Sequence, residues 1–147
     1  MINEKLIEKN IITLNVPDVN PISITTAYQP ANVTSGYTLN NSVGTKLTLN
    51  NGVKIGKGVS KVKISTMIKL YNNDGDTNVY LLYIIKNGGS MNNTYSSIAP
   101  YYFATEILPS YVLDVQENDV ITVGLSCSKT ISTSRLFSGY LTVEVIK

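Results

Sequence analysis

Oxygen-bearing side chains alternate along one short stretch of the chain: Asn72, Asp74, Asp76 and Asn78. Carboxylate and amide oxygens are ligands that Ca²⁺ prefers, so this spacing is compatible with a cation site. The EF-hand calcium loop is excluded, because Thr77 stands where that loop needs glycine and Tyr83 where it needs its terminal glutamate. The same pattern is typical of a solvated hairpin tip, and we expect a tip without a metal.

A second group of carboxylates lies close together in the sequence, at Asp114, Glu117 and Asp119. Two carboxyl groups can hydrolyse a glycosidic bond if one of them lies in a cleft that raises its pKa. These three belong to a polar turn, which offers no such cleft. We therefore expect no catalytic role for them.

The composition excludes most other catalytic chemistry. The chain of 147 residues has no histidine, no tryptophan and one cysteine. A Ser-His-Asp triad, a Cys-His dyad, a His-ligated metal and a multi-Cys zinc site are therefore impossible within one chain. The sequence predicts a protein that is not an enzyme and that has no cofactor.

Charge is sparse, with 15% charged residues and a net charge of +2. This balance argues against a nucleic-acid partner. Lysines are nevertheless grouped in one part of the chain: Lys54, Lys57, Lys61, Lys63 and Lys69. Alternation along a strand places residues 61, 63 and 69 on one face. The lysines either keep this outer face solvated or bind an anionic partner.

The elements that would position these residues are β-strands. Valine, isoleucine, threonine and tyrosine are abundant, asparagine and serine supply turn residues, and only four alanines occur. Asn51-Gly52 is a strong hairpin signal between two short apolar runs. Apolar residues alternate strictly from residue 61 to 70, as in a strand with one solvated face. With strands spaced about ten residues apart, we predict an all-β fold, an antiparallel β-sandwich of the jelly-roll type.

The strand at residues 79–85 is apolar on both faces. One face must meet the core, and the other meets either a neighbouring subunit or a covering loop. We expect a subunit interface. The predicted interface residues of this strand are Val79, Tyr80, Leu82, Tyr83 and Ile84.

The N-terminal residues show neither a signal-peptide core nor a long apolar run, which indicates cytoplasmic synthesis and no membrane partner. The lone Cys127 fits a reducing origin. Proline residues interrupt the chain at positions 17 and 21. We predict an N-terminal arm over residues 1–20 and a jelly-roll domain over 21–147. The arm's apolar residues would dock on a particle: Ile2, Leu6, Ile7, Ile11, Ile12 and Leu14.

Four segments together resemble a known family. Residues 53–59 precede the alternating strand, residues 81–88 end in Ile-Lys-Asn-Gly, residues 113–123 contain a polar turn, and residues 139–146 include Tyr-Leu-Thr-Val-Glu. This order is similar to the tumour-necrosis-factor-like and complement-globular-head jelly rolls, in the form common in phages and spore surfaces of Gram-positive bacteria. It covers about residues 53–147, with Asn118 where glycine is usual.

The resemblance implies a homotrimer, whose interface would also include Tyr101 and Tyr102, and a role on a surface. We therefore expect a phage virion structural protein: a trimeric capsid decoration or a head or tail fibre component, bound to other virion proteins and made in the host cytoplasm. The alternative is a receptor-binding knob that attaches to host-surface glycans. Its ligand loops would include Asn72, Asp74, Asp76, Asn92 and Asn93.

Overall fold

The alternating pattern becomes a series of antiparallel strands in the computed structural model, which describes residues 8–147. Over that range the strands are β1 (Ile11–Asn15), β2 (Ala31–Val33), β3 (Thr38–Val43), β4 (Leu47–Leu49), β5 (Val53–Ile55), β6 (Lys61–Asn72), β7 (Asn78–Lys86), β8 (Gly89–Ile98), β9 (Tyr102–Asp114), β10 (Val120–Cys127) and β11 (Arg135–Val145).

The strands form two sheets that pack face to face. One sheet has five strands in the order β3-β1-β11-β6-β9. The other has the order β4-β5-β10-β7-β8, and β2 adds to it by pairing with β10. Each pairing is antiparallel, which confirms the predicted jelly-roll sandwich.

The core lies between the sheets and is built from alternate residues of their strands. Val62, Ile64, Ile68 and Leu70 of β6 are fully buried, as period-two alternation predicts. They meet an equally apolar surface from β7 and β10. Each such side chain contributes about 1.5–3 kcal/mol when it is withdrawn from water, so this layer holds the sheets together.

The Asn51-Gly52 turn joins β4 and β5 as the sequence predicts. Asn51 has φ 52° and Gly52 has φ 132°. A Cβ atom on Gly52 would lie 2.5 Å from the backbone oxygen of Ile121. The glycine is therefore required by conformation and by close packing alike.

The predicted docking arm is wrong for the part of it that the structure describes. Strand β1 lies inside the five-stranded sheet, between β11 and β3. Ile12 and Leu14 are buried in the core and Ile11 is half-buried, so they are withdrawn from any particle surface. Residue 20 is therefore not a domain boundary. The other docking residues, Ile2, Leu6 and Ile7, lie outside the described residues.

The predicted subunit interface on β7 is also wrong. Tyr80, Leu82 and Ile84 point into the core and are fully buried within one chain. On the opposite face, Tyr83 and Ile85 are buried too.

This second face of β7 is covered by neighbouring strands. The side chain of Ile85 lies over Gly124 of β10, where an added Cβ would be 3.3 Å from its Cδ1. The Tyr83 hydroxyl accepts a hydrogen bond from Ser126 at 3.2 Å. The strand is apolar on both sides because it lies between β10 and β8 and its second face packs against side chains of β10, where the alternative prediction was a covering loop. Of the predicted interface residues on β7, Val79 alone is half-buried.

Candidate assembly surface

An apolar surface is exposed on the outer side of the five-stranded sheet. We call this surface, formed by the outward side chains of β6, β9 and β11, the open face. Its most exposed apolar side chains are Phe103 (65%), Ile107 (59%), Val112 (49%) and Tyr140 (45%). Monomeric proteins seldom expose a continuous apolar patch of this kind. The open face is therefore a candidate contact surface.

The middle of the open face is a row of three apolar residues on adjacent strands. Met67 of β6 is paired with Ile107 of β9 on one side and with Tyr140 of β11 on the other. Side chains paired in this way lie on the same face of a sheet. A depression of about 150 Å³ lies along this row, which gives the surface relief that a partner could fill.

One end of the open face is aromatic. The ring centroids of Tyr71 and Phe103 are 4.5 Å apart, and those of Phe103 and Phe137 are 5.6 Å apart with the rings edge to face. The guanidinium of Arg135 lies 5.4 Å from the Phe137 ring centroid. A concavity of about 340 Å³ is lined by Phe103, Phe137 and Lys69.

The other end of the open face carries ion pairs. Lys61 Nζ lies 3.6 Å from Asp114 Oδ1, and Lys63 Nζ lies 3.7 Å from Glu144 Oε2. The predicted lysine face therefore exists, and two of its lysines have partners within the chain. Exposed pairs at these distances add little stability, but they leave less unpaired charge beside the apolar row.

The loops at 72–78 and 128–134 meet at one end of the sandwich. Lys129 Nζ lies 2.6 Å from Asp74 Oδ2 and 2.9 Å from Asp76 Oδ2. The ammonium group thus occupies the position between the two carboxylates that a metal ion would need. Its hydrogen bond, together with one from Asn78, lowers the pKa of Asp74. In residues 8–147 no group of three or more His, Cys, Asp or Glu side chains is arranged to hold a metal.

Asn72 is fully buried beneath this loop and is unavailable to a ligand. Its amide nitrogen lies within hydrogen-bond distance of the backbone oxygens of Asp76, Ile98 and Ala99, at 2.9–3.1 Å. Its oxygen accepts from Asn78 and from the Tyr80 hydroxyl, each at 3.0 Å. The Asn72 side chain therefore holds the loop in place through hydrogen bonds.

The residues predicted to form ligand loops are not brought together. Asp74 and Asp76 lie at the end of the sandwich that also exposes Tyr101 (61%) and Tyr102 (66%). Asn92 is half-buried and Asn93 exposed on β8, nearer the turn that joins β7 to β8 at the opposite end. We call the end of the sandwich formed by the 72–78 and 128–134 loops, together with Tyr101 and Tyr102, the tip.

In the carboxylate turn, Asp119 is the residue that holds the backbone in place. Asp119 is buried, accepts from Asn87 Nδ2 at 2.8 Å and accepts from the backbone nitrogen of Gln116 at 2.9 Å. Asn118 has φ 73°, so asparagine serves where the resembling family uses glycine. Asp114 instead faces solvent on the open face.

The open face was missed by the sequence interpretation, although one signal could have found it. Met67 and Tyr140 both occupy positions that alternation assigns to the solvated side of their strands. Large apolar residues at such positions in two strands indicate an outer face that is not fully solvated.

The described part of the chain, residues 8–147, has no helix long and apolar enough to cross a membrane. No protein-family model matches the sequence, and no curated protein matches it.

Solved structures do match. PRD1 vertex protein P5 is 22% identical, with a TM-score of 0.59, over 95% of this chain and 99% of the other. Murine APRIL is 13% identical with a TM-score of 0.59, over 95% and 100%. The Eiger TNF from S. frugiperda is 8% identical with a TM-score of 0.61, over 95% and 94%. The chain therefore has the tumour-necrosis-factor-like jelly-roll fold that its sequence motifs predicted.

Proposed function

We propose that the protein is a non-enzymatic structural component of a phage virion, a homotrimer exposed on the particle surface as a capsid decoration or a head or tail fibre component. The observation that carries the proposal is the open face. The likeness to PRD1 vertex protein P5, which spans nearly the whole of both chains, supports the virion setting.

The apolar residues of the open face are the reason to expect self-association. Phe103, Ile107, Val112 and Tyr140 are each about half exposed or more in one chain. Covering a large apolar side chain completely contributes about 1.5–3 kcal/mol, so several together can offset the entropy that association costs. In a threefold ring the open face of one copy meets a different surface of the next, and the exposed Tyr101 and Tyr102 are candidates for that surface.

Measurement of mass in solution tests the assembly. We expect light scattering at micromolar concentration to give three times the chain mass. Ile107→Lys places a charge in the apolar row and is expected to shift the protein to monomer. Leu49→Lys is the matched control, because Leu49 is also exposed but lies in β4 of the other sheet. A monomeric wild-type protein, or equal effects of the two variants, contradicts the assembly through this face.

Particle attachment is the second part of the proposal. The docking residues that remain candidates are Ile2, Leu6 and Ile7. Purified capsids, tails and host cell walls are incubated separately with the protein and sedimented. Co-sedimentation with capsids or tails, lost when residues 1–7 are deleted from a protein that still assembles, supports a virion component. Binding to host cell walls alone contradicts it.

A host-glycan knob is the alternative function, and the tip gives it a specific basis. Tyr101 and Tyr102 are exposed beside a loop rich in amide and carboxylate groups, an arrangement that can stack on and hydrogen-bond to sugars. Tyr102→Ala should then abolish binding to isolated host cell-wall polysaccharide. Tyr95→Ala is the control, because Tyr95 is 73% exposed on β8 outside the tip. Absence of binding by the wild type contradicts this alternative.

A further inference from the structure

Glu106 of β9 is a carboxyl group buried inside the sandwich without a partner. It is paired with Ile68 of β6 and, like that residue, faces inward. Its residue exposure is 1%, and both of its carboxyl oxygens lack a hydrogen-bond partner within residues 8–147. An ionised carboxylate in such a position is strongly disfavoured, because it loses its hydration without a compensating charge.

The side chains that β8 places near Glu106 are small and polar, and none of them is charged. Strands β8 and β9 are the edge strands of the two sheets on this side of the sandwich. The inward residues of β8 opposite the β7 core positions are Asn92, Thr94 and Ser96. Over residues 92–96, β8 therefore closes the interior with small polar side chains.

No cation faces Glu106 from the strands packed against it. The inward positions of β6 and β8 carry no charged residue, and the titratable inward groups of β7 and β9 are Tyr80 and Tyr111. Lys86, at the end of β7, is directed to the backbone oxygen of Asp114 at 3.4 Å.

Burial accordingly raises the pKa of Glu106 to about 8. The Ser96 side chain and the backbone of Leu82 and Ser96 lie close enough to lower the pKa, but by less than burial raises it. The carboxyl group is therefore protonated at acidic pH and loses its proton near or above neutrality.

We propose that the β8/β9 edge is a proton-dependent latch: it is closed while Glu106 is protonated, and loss of the proton draws the carboxylate into water and separates β8 from β9. Each strand has one hydrogen-bonded neighbour, β7 for β8 and β6 for β9. Strand β8 is the one that yields, because its inward residues 92, 94 and 96 are polar and half-buried, whereas β9 buries Leu108 and Leu113 in the core. Opening exposes the inward face of β8 to solvent.

The sign of the pH dependence follows from the raised pKa. The closed state binds the proton more tightly than the open state, in which the carboxyl group has its ordinary value of about 4.5. The closed edge is therefore fully favoured below that value and is lost as pH rises towards about 8. Within this window the closed-to-open ratio falls about tenfold per pH unit.

Amide hydrogen exchange measures the latch. After correction for the intrinsic pH dependence of exchange, we expect protection of residues 89–98 to fall about tenfold per pH unit between pH 6 and 8, while β10 stays protected. Glu106→Gln keeps the shape but cannot ionise, and it should make this protection independent of pH. Glu117→Gln, an exposed glutamate in the turn before β10, is the control and should behave as wild type.

Two results would overturn the proposal. One is equal pH dependence in the wild type and Glu106→Gln. The other is loss of protection spread evenly over both sheets. If Glu106→Gln fails to fold, carbon NMR of the wild-type Glu106 carboxyl group decides: a midpoint near pH 8 supports the latch, and a midpoint near 4.5 contradicts it.

Discussion

The ammonium nitrogen of Lys129 lies 2.6 Å from Oδ2 of Asp74, and this contact joins two loops that are far apart in the sequence. Asp76 accepts from the same ammonium at 2.9 Å. Thr133 Oγ1 donates to the backbone oxygen of Asn73 at 2.9 Å, which adds a second connection between the same loops. The two loops of the tip are therefore joined by ion pairs and by a hydrogen bond.

Lys129→Met should loosen the tip without unfolding the sandwich. The two carboxylates lose their shared cation, and we expect amide exchange in residues 73–77 to increase several-fold. Because the pKa of Asp74 is lowered by Lys129, the wild-type contact is present above the ordinary Asp value of 3.8 and is lost as pH falls below it. Lys57→Met, at an exposed position outside the tip, is the control. Unchanged exchange in the loop would show that the contact is not needed to order it.

Asn72→Ala should destabilise the whole fold. The substitution removes the acceptor for Asn78 and Tyr80 and the amide group that lies within hydrogen-bond distance of three backbone oxygens, in a fully buried position. Each buried polar group left unsatisfied costs about 1–3 kcal/mol, so we expect a loss of about 3 kcal/mol in the free energy of unfolding by urea. Asn73→Ala, at an exposed neighbour, should change it by less than about 0.5 kcal/mol. Similar losses in both variants would show that the hydrogen bonds of Asn72 do not stabilise the fold.

Asp119→Ala and Asp114→Ala should differ sharply, although both residues flank the same turn. Asp119 is buried and accepts two hydrogen bonds, so its loss should cost about 1–3 kcal/mol. Asp114 is exposed and pairs with Lys61 at 3.6 Å, so its loss should cost less than about 1 kcal/mol. Thermal unfolding of the two variants under identical conditions makes the comparison. An equal decrease in Tm would mean that the hydrogen bonds of Asp119 are unimportant.

Strands and turns could be predicted from the sequence where they depend only on neighbouring residues. The alternation from residue 61 to 70 identifies β6, and Asn51-Gly52 identifies the turn between β4 and β5, because both depend only on neighbours in the sequence. Strand β8 was missed. Its residues Gly89–Ile98 are mostly polar on both faces, since one side is solvated and the other closes a polar edge.

The candidate site was less predictable, because burial depends on which strands become neighbours. The apolar pattern of β7 is the same whether Tyr83 and Ile85 meet a partner or the strands of their own sheet. Gly124, whose missing side chain makes room for Ile85, lies in a strand paired with β7 only after folding. In the same way, Phe103 and Phe137 are brought to one face only because β6 lies between their strands.

The placement of β1 also has a consequence during protein synthesis. The hydroxyl groups of Thr13 in β1 and Thr142 in β11 share a hydrogen bond at 3.0 Å, although the two residues are 129 positions apart in the sequence. When β1 leaves the ribosome, the strand it needs on that side does not yet exist. The five-stranded sheet therefore cannot close until β11 has been translated, and contacts of such long range form slowly. Until then β1 can pair with β3 but not with β11, and its apolar side chains are available to chaperones that bind the nascent chain.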